Sequence, residues 1–300
     1  MSTRILSIGE CMIEMAPSGT PGQFSMNFAG DTLNTAWYLR KLLPQGFSVE
    51  YLTDIGMDSA SHKMRAFMEE HGIGTGQIRM RQDRTVGLYL IELEGAERHF
   101  SYWRGQSAAR CLADDPERLA DAVRNTGLVY FSGITLAILD PAGRHALLTA
   151  VEEARRHGTT VAFDPNLRPG LWDSHEEMCA AVMSAASHSD IVLPSFEDEA
   201  SFFNDADGSA TAQRYAGQGA SLVVVKNGAG ALVTLHEGET AEHTPRPVED
   251  AVDTTAAGDS FNAAFLAEWI EKGAVAPAVA RGCAVSGEVI RHRGALVALD

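Results

Sequence analysis

The sequence predicts an α/β protein: a doubly wound, mostly parallel sheet flanked by helices, with a small β-sheet lid. Three observations predict it. Short, continuously apolar runs alternate with longer amphipathic stretches, the order that βα units produce. The runs lack polar alternation, as strands covered on both faces require. A single interval, 76–104, instead alternates polar and apolar side chains like an antiparallel hairpin.

In order, the apolar runs are Ile5–Gly9, Val49–Gly56, Gly127–Gly133, Thr160–Asp164, Ile191–Pro194 and Leu222–Lys226. They are rich in Val, Ile and Leu, and most stop at Gly, Asp or Pro. Between them lie Thr32–Leu43, Ser59–His71, Pro141–His157, Glu176–Ala186 and Ala257–Lys272, with apolar residues at helical spacing. Trp37 falls on that spacing and is expected in the core. A sheet of this kind binds ligands beyond the carboxyl ends of its strands.

The exceptional interval reverses at Glu94-Gly95. Together with residues 11–28 it is expected to form the lid, inserted in one domain that spans 1–300. Tyr89, Tyr102, Trp103 and Arg104 then suit a polar ligand. Exposed apolar lid strands also offer a surface for homo-oligomerisation.

Composition narrows the function classes. A formal charge of −16 over 300 residues excludes an extended nucleic-acid or anionic-membrane surface, but not an anionic small molecule held by a few arginines. Cys11, Cys111, Cys179 and Cys283 lie far apart without a CxxC pair, as reduced cysteines do. Glu10 and Glu14 interrupt the first apolar run, so it reads as a strand and not a signal peptide. No window approaches the roughly 18 apolar residues of a membrane span, and the expected location is the cytoplasm. The ten histidines lack metal-ligand spacing, so no protein metal site is expected.

Chemistry concentrates in Asp253-Thr-Thr-Ala-Ala-Gly-Asp-Ser-Phe-Asn262. Ala256, Ala257 and Gly258 let a ligand approach the backbone at a helix start, where free N–H groups attract anions. A carboxylate there repels phosphate, so Asp259 suits a base better than a phosphate ligand; it could equally cap the helix. Beside a substrate hydroxyl it would accept the proton as oxygen attacks a γ-phosphoryl group, while the amides of 256–258 hold the developing charge.

This string resembles the C-terminal signature of the ribokinase-like, or pfkB-type, carbohydrate kinases, usually D-T-T-G-A-G-D-x-F. Ala29-Gly30-Asp31-Thr32-Leu33-Asn34 resembles their N-terminal glycine signature. Asp164-Pro-Asn-Leu-Arg168 matches a D-x-N-x-R segment, and Lys226-Asn-Gly-Ala-Gly230 a nucleotide loop. Cys283–Glu288 is similar to a helix lining the adenine pocket. Ala29 and Ala256 replace usual glycines, and Ser195-Phe-Glu-Asp198 stands where the family has N-x-x-E. Asp198 or Glu199 would then take the magnesium role through water, or neither would.

The resemblance implies ATP and Mg2+, with a monovalent cation an option near Asp253. It implies cofactor contacts from Asn166, Arg168, Ser195, Lys226, Gly228, Gly230, Gly258 and Cys283. Three segments, Gly9–Glu14, Gly95–Arg104 and Ile290–Ala295, are similar to the 2-keto-3-deoxygluconate kinases within the family. That similarity implies a sugar-acid substrate held by Gly30, Asp31, Asn34, Tyr89, Tyr102, Arg104 and Arg168, with phosphorylation of its 6-hydroxyl. Arg168 could equally neutralise ATP phosphates. The alternatives are a fructokinase, a ribokinase or another sugar-acid kinase, and a non-catalytic sugar- or nucleotide-binding regulator.

Overall fold

The computed structural model describes residues 2–20, 22–94 and 97–299, the side chains of 93–98 excepted. The turn expected at Glu94-Gly95, and with it most of the Gly95–Arg98 segment, lies outside the described residues.

Strand β1 (Arg4–Ile8) starts the main sheet, and β2 (Met12–Pro17) and β3 (Phe24–Ala29) leave it as a hairpin. There follow α1 (Asp31–Leu42), β4 (Ser48–Gly56), α2 (Ser59–Glu70), β5 (Ile73–Gly74) and β6 (Ile78–Arg81). A second hairpin, β7 (Gly87–Glu94) and β8 (Glu97–Trp103), precedes α3 (Pro116–Val123). Then come β9 (Leu128–Ser132), α4 (Gly133–Ile138), α5 (Pro141–Arg156), β10 (Thr160–Asp164) and α6 (His175–Ser187). They lead to β11 (Ile191–Val192), α7 (Phe196–Phe203), α8 (Gly208–Ala216) and β12 (Leu222–Val225). The chain ends with β13 (Leu232–His236), β14 (Glu239–His243), α9 (Ala257–Lys272) and α10 (Val275–Val289).

The main sheet runs β14-β13-β12-β11-β10-β9-β1-β4-β5, with β6 also paired to β4. Every pair from β12 to β5 is parallel, and β13 is antiparallel to both β12 and β14. The chain steps from β1 to β4 on one side and resumes at β9 on the other. That reversal opens a crevice beyond the carboxyl ends of the strands. Alternate strand residues feed two buried layers. Ile5, Tyr51, Tyr130 and Val224 pack with α1, α9 and α10, whereas Leu6, Val129, Phe163 and Val223 pack with α5, α6 and α8. No described helix is long and apolar enough to cross a membrane.

A second sheet has the order β3-β2-β7-β8, with β2 and β7 parallel and the other pairs antiparallel. Its register puts Met12, Glu14, Ala29, Tyr89, Phe100 and Tyr102 on one face, and Met15, Phe24, Met26, Leu90 and Trp103 on the other. Residues 78–81, read from the sequence as part of the hairpin, pair with β4 instead. The reason is electrostatic. Arg79 and Arg81 reach the buried Asp54 on β4, with Arg79 Nη2 to Asp54 Oδ2 at 2.6 Å.

Helix termini divide into two kinds. Side chains of Asp58, Asp115, Ser132, Asp140, Ser174 and Asp207 accept N–H bonds at the starts of α2, α3, α4, α5, α6 and α8. The starts of α1, α7, α9 and α10, at Gly30, Ser195, Ala256 and Ala274, have no side-chain cap. The first three of these residues line one cavity at the switch point.

Candidate active site

The cavity has a volume of about 620 Å³ and is walled by the small sheet on one side and the strand ends on the other. Gly30, Asp31 and Asn34 come from the start of α1; Asp164 ends β10, and Asn166 and Arg168 follow it; Ser195 and Asp198 open α7; Lys226 follows β12. Ala256, Ala257, Gly258 and Asp259 form the opposite rim, and Tyr89, Tyr102 and Arg104 the lid wall. Apolar strands place these residues as a group, because each strand ends at the same edge of the sheet.

Asp259 lies in the first turn of α9, half-buried. Asn34 Nδ2 donates to its Oδ2 at 2.8 Å, which fixes the carboxylate at the cavity wall and leaves Oδ1 without a donor among the described residues. Its pKa is pushed up to about 8, first by burial and then by the Asp31 and Asp164 charges, against the Asn34 bond and Lys226. A carboxyl raised into the neutral range is matched to proton transfer.

A buried network lies below it. Lys226 Nζ donates to Asp164 Oδ2 (3.0 Å) and to Asn262 Oδ1 (3.1 Å), and Asn262 Nδ2 donates to Asp164 Oδ2 (2.6 Å) and Tyr130 Oη (3.1 Å). The ammonium sits close beneath Gly258, where an added Cβ would lie 3.7 Å from Nζ. The Gly258 N–H has no acceptor among the described residues, whereas the Ala257 N–H turns to Thr254 O at 3.2 Å. The electropositive corner is thus one open amide, one ammonium and the N-terminus of a 16-residue helix.

Two departures from the glycine signatures behave differently. Ala29 is buried at the end of β3, where its methyl packs in a cluster with Met12, Tyr89, Ile91 and Ala295. Ala256 sits at φ 58°, ψ 16°, in the left-handed region that favours glycine.

Asn166, expected at the phosphates, also lines the cavity, but its Nδ2 donates to Asp31 Oδ2 at 2.8 Å. Arg168 is half-exposed at the mouth, with Nη1 3.8 Å from Asp198 Oδ2. Burial raises the Asp198 pKa, and Arg168 opposes the rise. Glu199 is separated from the site: it is fully buried and accepts from Arg214 Nη2 (2.6 Å) and Tyr215 Oη (3.0 Å). Gly228, Gly230 and Cys283 do not line the cavity. The glycines lie on an exposed loop after β12, and Cys283 packs on the α9–α10 side of the core.

Sequence reasoning missed Glu10. Its Oε2 accepts from Arg104 Nε at 2.9 Å and also from Nη2, and both side chains are buried. Glu14 likewise accepts from the Tyr89 hydroxyl. The available signal was a carboxylate just past the end of a buried strand, where the sheet opens on its ligand crevice. Among the described residues no three His, Cys, Asp or Glu side chains gather as a metal-ligand set.

The pfkB family carbohydrate kinase model matches residues 2–300. The chain is 38% identical to a 2-dehydro-3-deoxygluconokinase of Dickeya dadantii, over 100% of this chain and 99% of the relative. It is 36% identical to the 2-dehydro-3-deoxygluconokinase of Escherichia coli K12, over 99% and 98%. Among solved structures, a PfkB protein from Polaromonas superposes with a TM-score of 0.83 at 25% identity, over 97% of this chain and 96% of the other. A fructokinase with bound ATP from Xylella fastidiosa shares the fold, with a TM-score of 0.85 at 24% identity, over 98% and 94%.

Proposed function

The chain belongs to the pfkB family of carbohydrate kinases, and we propose that it transfers the γ-phosphoryl group of ATP to the 6-hydroxyl of 2-keto-3-deoxygluconate. The products are ADP and 2-keto-3-deoxy-6-phosphogluconate. The observation that carries the choice of substrate is Arg104, a cation on the cavity wall of a chain 38% identical to a 2-dehydro-3-deoxygluconokinase over its whole length. A neutral sugar needs only hydroxyl-binding groups, whereas a sugar acid needs a cation as well, and a guanidinium matches a carboxylate.

In this reading Asp31 and Asn34 hold the sugar hydroxyls, Tyr89 and Tyr102 cover it, and Arg104 meets its carboxylate. Asp259 takes the proton of the attacking hydroxyl through Oδ1. Lys226 and the Gly258 N–H face the charge that develops on the transferred group. Arg168 belongs to the phosphates at the mouth. Mg2+ bound with ATP would supply charge neutralisation at the phosphates. Asp198 fits it through water, because the Asp164 oxygens accept from Lys226, Asn262 and the Asn166 N–H while Asn34 holds Asp259. Gly228, Gly230 and Cys283 are assigned to the nucleoside end of ATP, outside the cavity. A monovalent cation belongs near Asp253, which anchors the C-terminal turn through the Gly294 N–H at 2.8 Å; turnover in potassium and in tetramethylammonium buffer tests it.

The free cysteines suit a reducing cytoplasm. A second copy covers the apolar outer face of the small sheet. ADP release measured against 2-keto-3-deoxygluconate, fructose, ribose and gluconate decides the substrate. A strong preference for a neutral sugar, unaffected by Arg104→Ala, would sink the sugar-acid reading; no turnover at all would favour a binding regulator.

A further inference from the structure

Glu10 lies directly behind the residue on which substrate choice rests, and its environment is unusual. Its side chain is 1% exposed and that of Arg104 9%. Two donors on one edge of the guanidinium, Nε and Nη2, converge on Glu10 Oε2. The other oxygen, Oε1, is buried without a hydrogen-bond partner. It presses on β7 at Gly87, where an added Cβ would lie 2.8 Å from it. A buried carboxylate with one unsatisfied oxygen is costly. What it accomplishes here is to clamp one edge of Arg104.

We propose that Glu10 is a positioning residue that makes Arg104 a carboxylate receptor, an inference that rests on the sugar-acid reading above. With the Nε edge occupied, the end of the fork is what remains for a ligand. Nη1 has no acceptor among the described residues, and Arg104 lines the cavity. An end-on pair of N–H groups matches the two oxygens of a carboxylate. Unclamped, the long side chain would spread over many rotamers and present that pair only part of the time.

The main chain of Glu10 fixes the other end of the substrate. Its carbonyl oxygen would lie 2.2 Å from a Cβ added to Gly30, so this one residue sets the distance between the receptor and the Gly30–Asp31 corner. Because Glu10 cancels the charge of Arg104, discrimination comes from geometry and not from a net positive field. Lysine at 104 therefore cannot substitute.

The test measures KM and kcat for 2-keto-3-deoxygluconate and for its C1 methyl amide, with Glu10→Gln made in the wild-type and Arg104→Ala backgrounds. Expected is a rise of about tenfold or more in KM for the acid, a loss typical of one charge-assisted hydrogen bond. The amide KM and kcat at saturation should stay within about threefold, a margin below one such bond. In Arg104→Ala the same change should have no effect. An unchanged acid KM, equal rises for acid and amide, or a rise that persists without Arg104 overturns the proposal. Glu10→Asp, which keeps the charge one carbon further back, should give an intermediate acid KM. If neither variant folds, Glu10 is only a core residue and the proposal falls. If wild-type enzyme turns over neutral sugars and not the acid, the sugar-acid reading fails, and the proposal with it. Wild-type turnover of the acid with an indifferent Glu10→Gln removes the Glu10 role alone.

Discussion

Asp259 carries two opposed demands. Burial and the neighbouring carboxylates hold its pKa near 8, yet a base must be ionised to accept a proton. Activity of the free enzyme should therefore climb as pH rises toward about 8 and then level off, and a kcat/KM profile checks this. Asp259→Asn should lower kcat by about 10²–10⁴ and leave ATP affinity unchanged in a titration. The sign for stability is opposite to that of an ion-paired carboxylate. The folded state keeps a proton that the unfolded state has lost, so stability falls as pH rises from the unfolded pKa toward 8. Asp259→Asn removes that dependence. Its melting temperature should exceed the wild type's at pH 8 by about 2 °C or more, and the two should converge at pH 4. Ala256 is the other residue under tension. Ala256→Gly should stabilise by about 0.5–1 kcal/mol in denaturant unfolding, because relief of the left-handed strain exceeds the entropy glycine adds to the unfolded chain.

At the scale of elements, three helix starts converge on the cavity. Of the four helices without a side-chain N-cap, α1, α7 and α9 begin at its wall, whereas α10 does not. Asp198 lies in the first turn of α7 and lines the cavity, and it is the residue proposed above for the magnesium-bound phosphates. Asp198→Asn should raise the Mg2+ concentration needed for half-maximal turnover by about tenfold, the loss of one charge-assisted contact, with little effect on sugar KM. Glu199→Gln should leave that Mg2+ dependence unchanged, since Glu199 is sealed against Arg214 and Tyr215. The spacing of Ser195–Asp198 left both carboxylates open as candidates. Adjacent helical residues point about 100° apart, so only one can face the cavity.

At the scale of the whole molecule, one face of the small sheet is covered only in part. Its Ile13, Met15 and Phe28 pack on the core, while Phe24 is 40%, Met26 42% and Trp103 60% exposed. Separate apolar residues are ordinary, but three such large side chains on one sheet face suit a partner. Pairing of two such faces should give a dimer by light scattering, and Met26→Lys with Trp103→Glu should halve the mass without unfolding the protein.

Much of this was legible without coordinates. Apolar runs bounded by turn formers place the parallel strands, because burial on both faces leaves no room for polar alternation. The two signatures place Asp31 and Asp259, because phosphoryl transfer at a helix start needs small residues followed by a base. Tertiary structure decided the rest. The pairing of β6 with β4 depends on Asp54, 25 residues away from Arg79 in sequence, and no local pattern encodes that attraction. The Asn166–Asp31 bond and the Glu10–Arg104 pair likewise emerge only in the folded chain, because both contacts bridge segments that meet only once the sheet closes. Local propensity and periodicity act over a few residues along the chain. Side-chain electrostatics acts over a few ångströms in space, and only the folded chain brings those neighbours together.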